Sequence, residues 1–142
     1  MFSTILCPVD LEEASSWRKA LPVALEMQHT FEARLKLLTV LPALDRAVIV
    51  QYFPKDYPET SRKNARARLE AFARDNVPEA VSVRAHVAHG SVYDEILKTA
   101  DEVGADPIVM ASQRPELSDY LLVPNTERVV RHAKGSVFVE RE

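Results

Sequence analysis

The sequence predicts an α/β fold: an open, doubly wound parallel sheet with helices on both faces. Three observations predict it. Short apolar runs of strand length recur along the 142 residues, and stretches with three- and four-residue apolar spacing separate them. The order is strand-helix-strand-loop-helix-strand-helix-strand-helix-strand. Strands joined through helices in this way run parallel, because a parallel crossover must carry the chain back along the sheet.

Thr4 to Val9 is an apolar run consistent with a buried first strand. Trp17, Ala20, Leu21, Ala24, Leu25 and Gln28 then fall at helical spacing, with Ala14-Ser15-Ser16 supplying N-cap candidates. Pro22 lies inside that stretch and should kink the helix or shift its start. Leu35 to Leu41 is the second strand. Pro42 to Pro58 contains three prolines and three aromatics and reads as an irregular excursion.

Ser61 to Asn76 is a surface helix with Leu69, Phe72 and Ala73 inward. Val81 to Ala88 alternates, placing Val81, Val83, Ala85 and Val87 on one face of a third strand. Gly90-Ser91 begins a helix through Val103, with Val92, Ile96, Leu97 and Ala100 buried and Gly104 ending it. Ile108 to Ala111 is the fourth strand, Asn125 to Ala133 the fourth helix and Ser136 to Val139 the fifth strand.

Length and composition bound the function. One domain spanning residues 1–142 is the simplest organisation. A formal net charge of -3 gives no broad surface for nucleic acid or anionic membrane. The N-terminus lacks a basic region and a long apolar segment, and nothing approaches the roughly 20 apolar residues that span a bilayer. With one cysteine, Cys7, no internal disulfide forms, and a reducing cytoplasmic setting is expected.

The segment from Pro107 to Asn125 locates a candidate site. In open α/β sheets, ligands sit where a strand's carboxyl end meets the next helix's amino end, and the helix dipole there favours anions such as phosphate. Yet the loop from Ala111 to Asn125 has no glycine, and Pro124 has no N–H to donate. Position suggests phosphate binding; composition argues against it.

Ile5-Leu6-Cys7-Pro8-Val9-Asp10, together with Met110-Ala111-Ser112-Gln113-Arg114-Pro115, resembles the universal stress protein family. Further pieces agree in order and spacing: Tyr120-Leu121-Leu122-Val123-Pro124-Asn125 and Val129-Val130-Arg131-His132-Ala133. They are similar to a small-protein branch with Ala-Ser-His-Arg-Pro, Tyr-Leu-Leu-Gly-Ser-Asn and Val-Val-Arg-His-Ala. The resemblance covers essentially the whole chain. It implies a Rossmann-like five-stranded sheet in the order 3-2-1-4-5, and a homodimer through the C-terminal strand Ser136–Glu142. It also implies ATP held between the ends of strands 1 and 4, with AMP as an alternative ligand and magnesium as a possible companion of ATP. By position the site would comprise Pro8, Val9, Asp10, Val40, Ala111, Ser112, Gln113, Arg114, Val123, Pro124 and Asn125.

The departures concern the phosphate loop. Ala111 and Arg114 stand where many nucleotide-binding members have glycines, and Val123-Pro124 stands where the similar branch has Gly-Ser. A β-branched residue is poorly suited to positive φ, and proline removes a donor. Losing two hydrogen bonds to charged oxygens, each on the order of 1.5–3 kcal/mol, turns micromolar binding into millimolar or undetectable binding. Arg114 is either a compensating phosphate clamp or a solvated loop charge. Glu12-Glu13 adds negative charge near the same region.

Single residues carry two readings each. Asp10 is a ligand contact or a turn-former, and Asn125 is a helix cap, a ligand contact or both. His86 and His89 lie three apart, point to opposite faces of a strand and make a poor metal pair. Cys7 is packing, Ser91 a helix N-cap, and His132 surface or interface. Gly-x-Ser-x-Gly, Walker and Gly-x-Gly-x-x-Gly patterns are absent, and no acid–base pair emerges.

The expected function is thus a cytoplasmic, dimeric nucleotide-binding module without efficient catalysis. The alternatives are a nucleotide-independent interaction protein of the same fold and a slow ATPase. The interaction protein would contact a protein partner through Tyr52, Phe53 and Tyr57.

Overall fold

A computed structural model describes residues 1–42, 51–52, 55, 57–112 and 125–141. Its elements are β1 (Thr4–Pro8), α1 (Ala20–Phe31), β2 (Arg34–Leu41), α2 (Tyr57–Asn76), β3 (Val83–His89), α3 (Val92–Val103), β4 (Ile108–Ser112), α4 (Asn125–His132) and β5 (Val137–Arg141). The strands form one parallel sheet in the order β3-β2-β1-β4-β5. The doubly wound sheet expected from the sequence is therefore present, with its order as the family resemblance implied.

Strand alternation divides the apolar residues between two cores. Ile5, Cys7, Leu35, Leu37 and Val109 point to one face, where Ala20, Leu21 and Ala24 of α1 and Leu69 and Phe72 of α2 cover them. Leu6, Leu38, Ile108 and Met110 point to the other, under Ile96 and Ala100 of α3 and Val129 of α4. Each fully buried Leu or Ile side chain contributes about 1.5–3 kcal/mol. The faces covered by successive helices switch between β1 and β4.

Several boundaries differ from the sequence expectation, each for a local reason. Pro22 is the third residue of α1, where a helix has no use for its N–H, so the helix starts at Ala20 and does not kink. Trp17 stays in the preceding turn and packs edge-on against Phe72, ring centroids 4.8 Å apart. The stretch expected to be irregular is helical at Gln51 and Tyr52, and α2 begins at Tyr57 with Pro58 in its tolerant first turn. Val81 lies in a turn before β3, its N–H donating to the Pro78 carbonyl at 2.9 Å.

Val92 opens α3 and is exposed; Thr99 is buried in its stead. Gly104 ends α3 in the left-handed region at φ 66°, which a glycine adopts without a Cβ clash. The fifth strand runs on to Arg141, two residues past the end of its apolar run, because Ala111 and Ser112 of β4 pair with Glu140 and Arg141.

At the amino edge of the sheet, Asp106 joins three strands. Its N–H donates to the Thr4 carbonyl at 2.8 Å, and its Oδ1 accepts the Ser136 N–H at 3.0 Å. Gly135 fits beside it because an added Cβ would meet the Asp106 Cγ at 3.1 Å.

Candidate functional site

The carboxyl edge of the sheet gathers the described members of the expected site. Pro8 ends β1 opposite Leu38, and the Val9 N–H extends that pairing by donating to the Leu38 carbonyl at 2.7 Å. Val40 lies near the end of β2, half-buried against the core beneath α3 and α4. Ala111 and Ser112 end β4, with Ala111 packed against the opposite core. Thus Val9 and Ala111 face α1 and α2, while Val40 faces α3 and α4. Their side chains do not converge from one face; they flank the crevice at the switch point between β1 and β4, where open α/β sheets take ligands. Gln113, Arg114, Val123 and Pro124 lie outside the described residues.

Asp10 is held by a compact hydrogen-bond set. Its Oδ1 accepts the Glu12 N–H at 2.9 Å, a local turn of the kind aspartate favours. Its own N–H donates to Ser16 Oγ at 2.9 Å, and its carbonyl accepts the Glu13 N–H at 3.1 Å. The Ser16 hydroxyl lies 2.8 Å from the Glu13 carbonyl and 3.1 Å from that of Asp10. The turn-forming reading of Asp10 is realised in this geometry, and the residue is exposed. Ser16, grouped with the helix-cap candidates by sequence, instead closes the loop after β1; its signal was a serine shortly after an aspartate that follows a strand.

Thr126 is the second residue that sequence reasoning passed over. It sits in the first turn of α4, and its hydroxyl donates to the Ala111 carbonyl at 3.1 Å. That bond ties the amino end of α4 to the carboxyl end of β4. Asn125, expected as a cap, is the first residue of α4 and is exposed. Arg128 of the same helix stacks over Tyr93 of α3, its guanidinium carbon 4.7 Å from the ring centroid.

Charge around the crevice is partly offset. Glu12 pairs with Arg68 of α2 at 2.8 Å, an exposed contact that modestly reduces the acidity after β1. At the end of β3, Arg62 Nε donates to His89 Nδ1 at 3.2 Å. Burial, and then the Arg62 charge, lower the His89 pKa, against a smaller opposing pull from Glu95. His86 lies on the other face of β3, beside Leu38 in register. Its pKa is lowered chiefly by burial and then by Lys36, Arg66 and Arg84, with Glu102 opposing. The two histidines do not share a face. Among the described residues no group of three or more His, Cys, Asp or Glu could hold a metal ion. Cys7 is fully buried, and burial pushes its thiol up to about 12, so it packs as a small apolar residue. Among the described residues no helix is long and apolar enough to cross a membrane.

A model of the universal stress protein family matches residues 1–141. The chain belongs to the universal stress protein family. Universal stress protein G of Escherichia coli O157:H7 is 33% identical over 144 residues, covering 99% of this chain and 100% of that protein. Among solved structures, universal stress protein UspA from Lactobacillus plantarum matches with a TM-score of 0.71 at 22% identity, covering 99% of this chain and 98% of that one. A universal stress protein in complex with cAMP matches with a TM-score of 0.63 at 22% identity, over 99% of this chain and 97% of that one. These two structures are similar in fold. In this member of the family, β1 ends at Pro8, just before Val9-Asp10, and β4 ends at Ala111-Ser112.

Proposed function

We propose that this universal stress protein is a cytoplasmic, dimeric module that binds an adenine nucleotide, ATP or AMP, without efficient turnover. The observation that supports the reading is that the chain segments after β1 (Pro8-Val9-Asp10) and at the end of β4 (Ala111-Ser112) lie side by side at the carboxyl edge, where the sheet order switches, with Val40 on the adjacent β2. Pro8, Val9, Asp10 and Val40 would form the base and ribose side. Ser112, Arg114 and Asn125 would face the phosphates, with Val123-Pro124 weakening that side. Magnesium would arrive with ATP and offset Glu12 and Glu13. A universal stress protein of similar fold solved in complex with cAMP supports a nucleotide as the class of ligand.

The dimer would form through Ser136–Glu142. β5 is a terminal strand with Phe138 39% exposed, and Val130 on neighbouring α4 is 52% exposed. An apolar sheet edge of this kind favours pairing with a two-fold mate. A second reading, a nucleotide-independent interaction protein, is favoured by Val123-Pro124 and by Tyr52, which is 70% exposed. Its partner surface would include Tyr52, Phe53 and Tyr57, of which Phe53 lies outside the described residues.

Native mass spectrometry of the gently purified chain tests both parts. The proposal predicts dimer mass with a nucleotide adduct that ATP addition saturates. Monomer mass at micromolar concentration would refute the dimer, and absence of any adduct with added ATP would favour the second reading.

A further inference from the structure

A groove of about 790 Å³ runs between α2 and the outer edge of β3, away from the switch-point crevice. Its floor is apolar, formed by Ala73, Val77, Val81 and Val83, and Arg66, Arg74 and Arg84 line it. β3 is a terminal strand of the sheet, and among the described residues no strand neighbours its outer backbone groups. Their direction can be read from two bonds. Arg66 Nη1 donates to the Ala85 carbonyl at 3.0 Å from the α2 side. At the other parity, the Gly90 N–H donates inward to the Leu41 carbonyl at 2.9 Å. The N–H and C=O of one residue in a parallel strand point to the same edge and alternate along it. Val83, Ala85, Val87 and His89 therefore turn their peptide groups outward.

We propose that this groove binds an extended acidic segment of a partner protein, added to the sheet as a strand along β3. Peptide groups would pair with the outward groups of Val83 and Ala85, apolar side chains of one parity would rest on Val77 and Val83 on the α2 face, and carboxylates of the other parity would meet Arg84, which shares the parity of His86, and Arg66, which reaches the strand edge at the Ala85 carbonyl. Arg66 occupies the Ala85 carbonyl in the free protein. An incoming peptide N–H replaces that contact and releases the guanidinium to a carboxylate, a stronger charge-assisted pairing. Charge selects the ligand: three arginines against Glu70 and Glu79 make the groove locally positive on a chain whose net charge is -3.

The test is fluorescence anisotropy with a labelled, end-blocked Val-Glu-Val-Glu-Val-Asp peptide. Its lysine counterpart and a version N-methylated at alternate residues serve as controls. Saturable binding of the acidic peptide is expected, weakened at least tenfold by Arg74→Glu with Arg84→Glu and lost on N-methylation. Both arginines are exposed, so an unchanged circular-dichroism spectrum should accompany the charge reversal. No saturable binding overturns the proposal. So does equal binding of the lysine or N-methylated peptide, or binding indifferent to the charge reversal.

Discussion

The Thr126 hydroxyl donates to the Ala111 carbonyl at 3.1 Å, tying the first turn of α4 to the end of β4. The two residues bracket the loop in which the family resemblance puts the phosphate contacts. Thr126→Val should cost about 1 kcal/mol of stability in urea unfolding, the usual value of one such bond. It should also weaken ATP binding several-fold, while Thr126→Ser, which keeps the hydroxyl, should leave both near wild type. Equal affinity in the valine variant would separate this bond from the site.

Asp10 combines a turn and an exposed carboxylate, and two substitutions separate them. Asp10→Asn retains the acceptor that takes the Glu12 N–H; Asp10→Ala removes it. Calorimetry should find ATP binding abolished by Asp10→Ala with an intact circular-dichroism spectrum. Binding retained by Asp10→Asn would assign the residue's contribution to the turn, and binding retained by Asp10→Ala would remove Asp10 from the site.

The phosphate side turns on Val123-Pro124. Val123→Gly with Pro124→Ser restores a permissive backbone and an N–H donor. The double variant should bind ATP roughly tenfold more tightly or better, the effect of about 1.4 kcal/mol. Unchanged affinity in a titration would show that these residues are not what limits binding.

Stability offers an independent check away from the site. Glu32 closes α1 in the left-handed region at φ 51°, ψ 40°. A side chain there costs roughly 1–2 kcal/mol that glycine avoids, less the entropy glycine loses on folding. Glu32→Gly should therefore raise stability by about 1 kcal/mol, seen as a higher Tm with the same denaturant slope.

The lowered pKa of His86 fixes a sign. Burial and the Lys36, Arg66 and Arg84 charges disfavour its protonated form, with Glu102 opposing. The unfolded chain therefore takes up this proton first as pH falls. The stabilising contribution is complete above the unfolded value of about 6.5 and is lost as pH falls from there through the lower folded value. His86 Nε2 is buried without a hydrogen-bond partner in the structure. His86→Leu should thus flatten the stability decline between pH 6.5 and 5. An identical slope in both proteins would exclude His86 as its source.

The fold was largely legible because it rests on strong periodic signals. Strand runs such as Leu35 to Leu41 and helical spacing through Leu69 and Phe72 survive intact. Boundaries were less legible where one residue supports two local structures. Pro22 reads as a breaker but sits harmlessly in a first turn. Pro58 does the same, and α2 thereby reaches back to Tyr57. Of the candidate site, the strand-end position of Pro8-Val9-Asp10 and Ala111-Ser112 was legible from motif and topology. Ser16 and Thr126 were not, because their contacts depend on which carbonyl a hydroxyl meets after the chain has folded. Asp106, which draws β1 and β5 together through Thr4 and Ser136, escaped for the same reason.

The most direct test is isothermal titration of ATP, with and without magnesium, into protein stripped of co-purified nucleotide. Nucleotide binding at the β1–β4 crevice predicts saturable heat with one ATP per chain, absent in Asp10→Ala. No heat up to millimolar ATP, upheld by equilibrium dialysis, would contradict it.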